Sequence, residues 1–315
     1  MRLPMLSRAR CRPGRPRGIA GSIAVAVTLA GCGLQTAPTT GGAKLTLTRD
    51  FGATAIGGRA QASIPGGETL TAMLRRMYGV RTDRRGAVAA IGGTAASSGL
   101  VWNVWVNGIA PATKPAKTKV NHGDHVWWDL HSSAATASVP AVVGAYPEPF
   151  TTGSGGRRLP TLLACAPDVR GACATVSHAL QRVGVKAPDQ VIGTYSGSNS
   201  LTVIVGSFRD LRGVIALELI QAGPAESGVY ARFGGRDGSA LELDDPAGQV
   251  SQTLTGDVGL IAATEQPGLD EPAWLVTGTD SAGVAAAARA LTPAALHDRL
   301  AIAVAGGREL PLPRG

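Results

Sequence analysis

Trp102-Asn103-Val104-Trp105-Val106-Asn107-Gly108, followed after a loop by Gly123-Asp124-His125-Val126-Trp127-Trp128-Asp129, decides how the first half of this chain is read. Val101–Val106 and His125–Leu130 are rich in β-branched and aromatic residues and read as strands. Four of the five tryptophans lie between Trp102 and Trp128, although only 4% of the chain is aromatic. Successive side chains of a strand point to opposite faces. His125, Trp127, Asp129 and His131 therefore share one face, and Val126, Trp128 and Leu130 share the other. One face is expected to be core. The polar face has two readings. It presents an aromatic surface with a few polar groups, the usual make-up of a small-molecule site, or the tryptophans fill the core and the polar residues are solvated.

Upstream, Lys44–Phe51 alternates cleanly and predicts a strand. Pro65-Gly66-Gly67 is a turn. Leu70, Met73, Leu74 and Met77 recur at helical spacing, which predicts a helix across Thr69–Tyr78 stopped by Gly79. Val88–Ile91 is a further short strand before Gly92-Gly93. This order of elements predicts a small α+β fold. Trp102 ahead of Val106-Asn107-Gly108, the Gly123-Asp124 turn into an aromatic strand, the strand at Leu45 and the helix start Gly67-Glu68-Thr69-Leu70 resemble the transcobalamin C-terminal-like family of bacterial proteins. The match covers Ala43–His131. The resemblance implies a β-grasp-like domain over residues 43–150. In the eukaryotic cobalamin carriers, a related domain covers one face of the corrin ring beside a helical barrel. The expected ligand is thus a corrinoid, stacked on Trp102, Trp105 and Trp127 or Trp128, with polar contacts from Asn107, Asp129 or His131. The aromatic platform suits a large flat ligand, and it suits sugars as well.

Downstream, Pro147, Pro149 and Gly153-Ser154-Gly155-Gly156 predict a break across Tyr146–Arg158, and the domain boundary is placed there. Residues 159–315 alternate strands and helices. Strands are expected at Thr161–Ala164, Leu201–Val205, Gly228–Phe233, Ala240–Leu243, Val258–Ala263, Trp274–Val276 and Leu300–Val304. Ala172, Val176, Ala179, Leu180 and Val183 form a helical stripe ending at Gly184, and Val284–Leu291 is a second helix. The pattern predicts an α/β sandwich rather than a helical barrel. Val276-Thr277-Gly278-Thr279-Asp280-Ser281 opens the second helix, where Asp280 or Ser281 is read as its cap rather than as part of an anion site.

The chain begins with six arginines (Arg2, Arg8, Arg10, Arg12, Arg15 and Arg17) before an apolar run from Ile19 to Ala30. That run falls short of the ~20 residues a transmembrane helix needs. It ends in Leu29-Ala30-Gly31-Cys32, which resembles the lipobox of bacterial lipoprotein signal peptides. The resemblance implies that residues 1–31 are removed and that Cys32 carries a diacylglyceryl group. Two acyl chains hold a protein durably on a membrane. Residues 32–42 then form a polar lipidated tether, and the folded part lies on the extracytoplasmic face of the cell membrane.

The full chain has 30 Lys+Arg and 22 Asp+Glu. Residues 1–31 hold six of the arginines and no acid, so the remainder carries 24 against 22, a net of +2. No basic patch of the kind nucleic acid requires is present. Beyond Cys11 and Cys32, Cys165 and Cys173 remain, and in an oxidising compartment they are expected to form a disulfide. His122, Asp124, His125, Asp129 and His131 invite a metal reading, but His125 and His131 would stand about 20 Å apart on an extended strand. No metal or resident cofactor is expected. G-x-S-x-G and H-E-x-x-H are absent, and His178 and His297 are expected at the surface. The chain is therefore expected to be a lipid-anchored binding protein rather than an enzyme. It would capture a small ligand, with cobalamin as the candidate that the resemblance implies, for a membrane importer. The rival reading is a cell-envelope module that contacts a partner protein or wall polymer and has no small-molecule ligand.

Overall fold

Leu45 and Leu47 alternate with Thr46 and Thr48 in the first strand, β1 (Ala43–Arg49), and this period-2 pattern gives the strand two different faces. The computed structural model describes residues 41–61, 63–192, 199–269 and 271–315. The lipobox, Cys32 and the tether up to residue 40 lie outside the described residues.

β1 turns through Asp50–Ala53 into β2 (Thr54–Gln61). The helix α1 (Leu70–Met77) follows, capped by Thr69, whose hydroxyl accepts from the Ala72 N–H at 3.3 Å. Two longer strands complete the first sheet, β3 (Leu100–Val106) and β4 (His125–Ser132). The sheet order is β2-β1-β4-β3. β1 is antiparallel to β2 and parallel to β4, and β4 is antiparallel to β3. Val80–Thr82, Val88–Ile91 and Thr94–Ala95 form a small separate sheet. Leu45, Leu47, Val106, Val126 and Trp128 pack against Leu70, Met73 and Leu74 of α1, closing the first core.

The segment Tyr146–Arg158 is not wholly irregular, as the sequence reading had it. Glu148–Thr151 makes one helical turn, α2, with Pro149 in its first turn, where the missing N–H costs nothing. The second half is built on a seven-stranded mixed sheet. Its strands are β5 (Thr161–Cys165), β6 (Leu201–Ser207), β7 (Gly259–Thr264), β8 (Ala273–Gly278), β9 (Ala301–Ala305) and β10 (Arg308–Leu312), with Asp189–Gln190 at the edge beside β5. The order from the other edge is β10-β9-β7-β8-β6-β5. β5, β6 and β8 run parallel, as expected for strands that read as continuous apolar runs.

One sheet face meets α3 (Arg170–Arg182) and α5 (Ser281–Ala290) through Val176, Leu180, Val284 and Ala287. The other meets α4 (Ile215–Ala222) and a three-stranded antiparallel sheet (Ala231–Gly234, Ala240–Asp244, Val250–Thr255) through Leu217, Ile220, Phe233 and Leu241. Cys165 at the end of β5 is disulfide-bonded to Cys173 in α3, with Cα atoms 6.0 Å apart. Asp280 caps α5 by accepting from the Gly283 N–H at 2.8 Å, the bland reading of that helix start. The architecture is mixed α and β, with layered sheets.

The halves that the sequence separates share a core. Phe51, Trp105 and Trp127 of the first half belong to the same apolar cluster as Ile204, Leu260, Ala262 and Leu300 of the second. Glycines permit the close approach. A Cβ on Gly144 would stand 2.6 Å from the Arg299 nitrogen and 2.7 Å from the Trp127 ring. A Cβ on Gly52 (φ +82) would strike the Asp298 carbonyl at 1.9 Å.

Candidate functional site at the seam of the two halves

The polar face of β4 lies in the interior, so its residues are neither an exposed aromatic platform nor solvated. Trp127 and Asp129 are fully buried, and His125 and His131 are each 2% exposed. The face survives burial because most of its polar groups find partners. The Asp129 carboxylate accepts from the Thr48 hydroxyl, from the Phe51 and Gly52 N–H groups at 3.1 and 2.9 Å, and from His131 Nδ1 at 2.6 Å. Asn103 Nδ2 reaches His131 Nε2 at 2.9 Å, and the Trp127 indole donates to Thr48 Oγ1 at 2.8 Å. Phe51 stacks on the His131 ring with centroids 4.4 Å apart. Asp129 thus pins the β1–β2 turn, where Asp50 and Phe51 both hold positive φ, to β4.

The other sequence-predicted contacts are also built into the fold. Trp105 is 1% exposed, lies 5.0 Å from Trp127 and donates its indole N–H to the Val139 carbonyl at 2.8 Å. Trp128, also 1% exposed, points to the opposite side with α1, and Trp102 packs partly buried against that same core. Asn107 is a buried clamp with φ +53. Its amide donates to Asp124 Oδ1 at 2.8 Å and to the Gly153 carbonyl at 2.9 Å, while its oxygen accepts from the His125 N–H. The Asn107-Gly108 and Gly123-Asp124 motifs therefore occur together because one turn holds the other. The structure brings Trp105, Trp127, Asp129 and His131 together on one face and leaves Trp128 and Trp102 on the other.

A group of ionisable side chains lies beside this network. His125 Nε2 is 2.9 Å from Thr46 Oγ1, and its Nδ1 is buried without a hydrogen-bond partner among the described residues. Burial, reinforced by Lys44 and His297, pushes the His125 pKa down to about 3, so the ring is neutral. The Glu148 carboxylate at 3.9 Å is beyond hydrogen-bond reach and forms no ion pair with a neutral ring. Burial also raises the carboxyl pKa of Glu148 and of Asp298, whose Oδ2 lies 3.0 Å from the exposed His297 ring. No grouping of three or more His, Cys, Asp or Glu fit for a metal exists among the described residues.

The concave feature at this seam lies along the outer side of the β1–β2 turn. It is a cleft of about 400 Å³. Phe51, Leu100, Pro311, Leu312 and Pro313 supply apolar wall, and Asp50, Arg299 and Arg314 supply charge. The volume is within the ~300–1,000 Å³ of small-molecule sites. None of the tryptophans lines it. Sequence reading missed every residue of this cleft, because they come from stretches far apart along the chain. The faint signals were an aromatic in a glycine turn, Asp50-Phe51-Gly52, and the apolar, proline-spaced run Leu310–Arg314.

No family model matches the chain, and no curated protein matches it. Among solved structures, a candidate metal-binding protein from Ruminococcus gnavus aligns at 13% identity with a TM-score of 0.24, covering 29% of this chain and 97% of that one. A likeness this low bears on neither fold nor function.

Proposed function

We propose that this chain is a lipid-anchored extracytoplasmic binding protein that holds a small ligand in the cleft at the seam of its two halves. The cleft itself carries the reading. It is concave, largely apolar, bounded by both halves, and equipped with a few charged groups. The Leu29–Cys32 lipobox supports anchoring through Cys32 and delivery of the ligand to a membrane importer. The β2-β1-β4-β3 order, with a helix on one face, supports a β-grasp-like first domain. A binding role rather than a catalytic one is supported by the setting of the Asp129–His131 pair. Both side chains are buried, and the neighbouring Thr48 hydroxyl is spent on Asp129.

Cobalamin enters this proposal through the sequence resemblance alone. A corrinoid is too large for a cleft of about 400 Å³ to enclose and would have to lie across its mouth. The test is mass spectrometry of small molecules carried by the purified protein, compared with Ala53→Trp, which places an indole in the cleft from its exposed rim. A ligand present on the wild type and absent from the variant is expected. A wild type that carries and binds nothing, or a ligand retained equally by Ala53→Trp, would overturn the seam site. Labelled palmitate should enter the wild type and not Cys32→Ala, and equal labelling would overturn the anchor.

A further inference from the structure

We infer that the seam cleft takes a small soluble amphiphile with an anionic head, a carboxylate or a phosphate, on a short apolar body. This rests on the seam reading above and concerns the chemistry of the ligand. The charged side chains of the lining are two arginines and Asp50. Asp50 is already occupied, its Oδ2 lying 3.4 Å from Arg49 Nε. The Arg299 and Arg314 side chains make no hydrogen bond or ion pair among the described residues. Their backbones are bonded, Arg299 N to the Leu296 carbonyl and Arg314 N to the Asp244 carbonyl. The Asp298 carboxylate, 3.0 Å from His297 Nδ1, also feels the Arg299 charge without forming an ion pair with it.

Two guanidinium groups with no hydrogen bond or ion pair among the described residues thus stand over a wall of Phe51, Leu100, Leu312 and prolines. A planar guanidinium matches the oxygens of a carboxylate or phosphate, and such charge-assisted bonds are about twice as strong as neutral ones. The apolar wall rewards a hydrocarbon body by removing it from water. A cationic or purely polar ligand would leave both features unused. The cleft is at the small end of ligand sites, which favours a free small molecule over a diacyl lipid.

The test is calorimetric titration of the full mature chain, made without lipid by Cys32→Ser, with octanoate, octyl phosphate and octanol. Octanoate or octyl phosphate is expected to bind at least about tenfold more tightly than octanol, reflecting one to two charge-assisted hydrogen bonds. Arg299→Gln and Arg314→Gln should each weaken the anionic probe about tenfold. Arg289→Gln, on the far side of the second sheet, should leave it unchanged. Octanol binding as tightly as octanoate, in a manner abolished by Ala53→Trp, would overturn the anionic assignment and leave the seam site standing. Failure of all three probes, with a cleft-dependent ligand still found by mass spectrometry, would do the same. Binding to phosphatidylglycerol vesicles in place of the soluble anions would overturn the soluble source.

Discussion

The two faces of the first sheet are buried by opposite means. Toward α1, Leu45, Leu47, Val126 and Trp128 meet Leu70, Met73 and Leu74, and burial of apolar surface is itself the stabilising term. Toward the second half, Thr46, Thr48, His125, Trp127, Asp129 and His131 are just as buried, and there the hydrogen-bond network makes burial tolerable. The apolar face would accept many hydrophobic packings. The polar face is far more restrictive, because the donors gathered on Asp129 and Thr48 each have a specific acceptor, and this fixes how the β1–β2 turn and the seam cleft beside it are held.

The contrast breaks most visibly at Asp129. Asp129→Ala would leave Thr48, His131 and two backbone N–H groups without their acceptor, and a loss of about 3–5 kcal/mol is expected in denaturant unfolding. A loss below ~1 kcal/mol would mean the network is not what holds the seam. Trp105→Ala and Trp127→Ala should cost about as much as Trp128→Ala on the other face, roughly 3–5 kcal/mol each, as buried aromatics do. If either of the first two instead lost ligand affinity at unchanged stability, the polar face would be a binding surface after all.

The Cys165–Cys173 bridge, remote from both faces, sets a reference of smaller size. Closing so short a loop is worth about 2–3 kcal/mol in the chain-entropy model. Unfolding of the double serine variant at the wild-type midpoint would contradict that.

The gentlest probe is pH. His125 has its ordinary pKa of 6.5 when unfolded and about 3 when folded, so between these values the unfolded chain binds more protons. Its contribution is complete above pH 6.5 and is lost as pH falls, with a slope of at most ~1.4 kcal/mol per pH unit. Glu148 and Asp298 act in the opposite sense. Their raised pKa values give stability at low pH that is lost as pH rises through them. His125→Gln should therefore flatten the acid limb of the stability profile, and an unchanged limb would show that His125 is not buried neutral.

Elements with strong periodicity were legible in the sequence. The helix expected over Thr69–Tyr78 is Leu70–Met77, and the two aromatic strands lie where their alternation put them. Elements whose pattern is diluted were not. β2 carries Gly57-Gly58 on an exposed edge, β10 contains Pro311, and Val250–Thr255 is an exposed edge strand. The alternation of β4 is legible, and the reading that places the tryptophans in a core agrees with their burial, but both readings assign the polar residues of that side to ligand or water. Sequence patterns record which residues share a face and not what covers it. Here the cover comes from Gly144 and Asp298–Leu300, far along the chain. The cleft was illegible for the same reason, since Phe51 and Arg314 meet only in three dimensions.

Acrylamide quenching of single-tryptophan variants tests most directly whether the polar face is an interior seam. Emission from Trp105 and Trp127 should be blue-shifted and as resistant to acrylamide as that of Trp128, with Trp102 alone of the four partly reachable. Red-shifted, readily quenched emission from Trp105 and Trp127 in the folded protein, protected only when a ligand is added, would contradict the buried seam and return the binding site to the tryptophans.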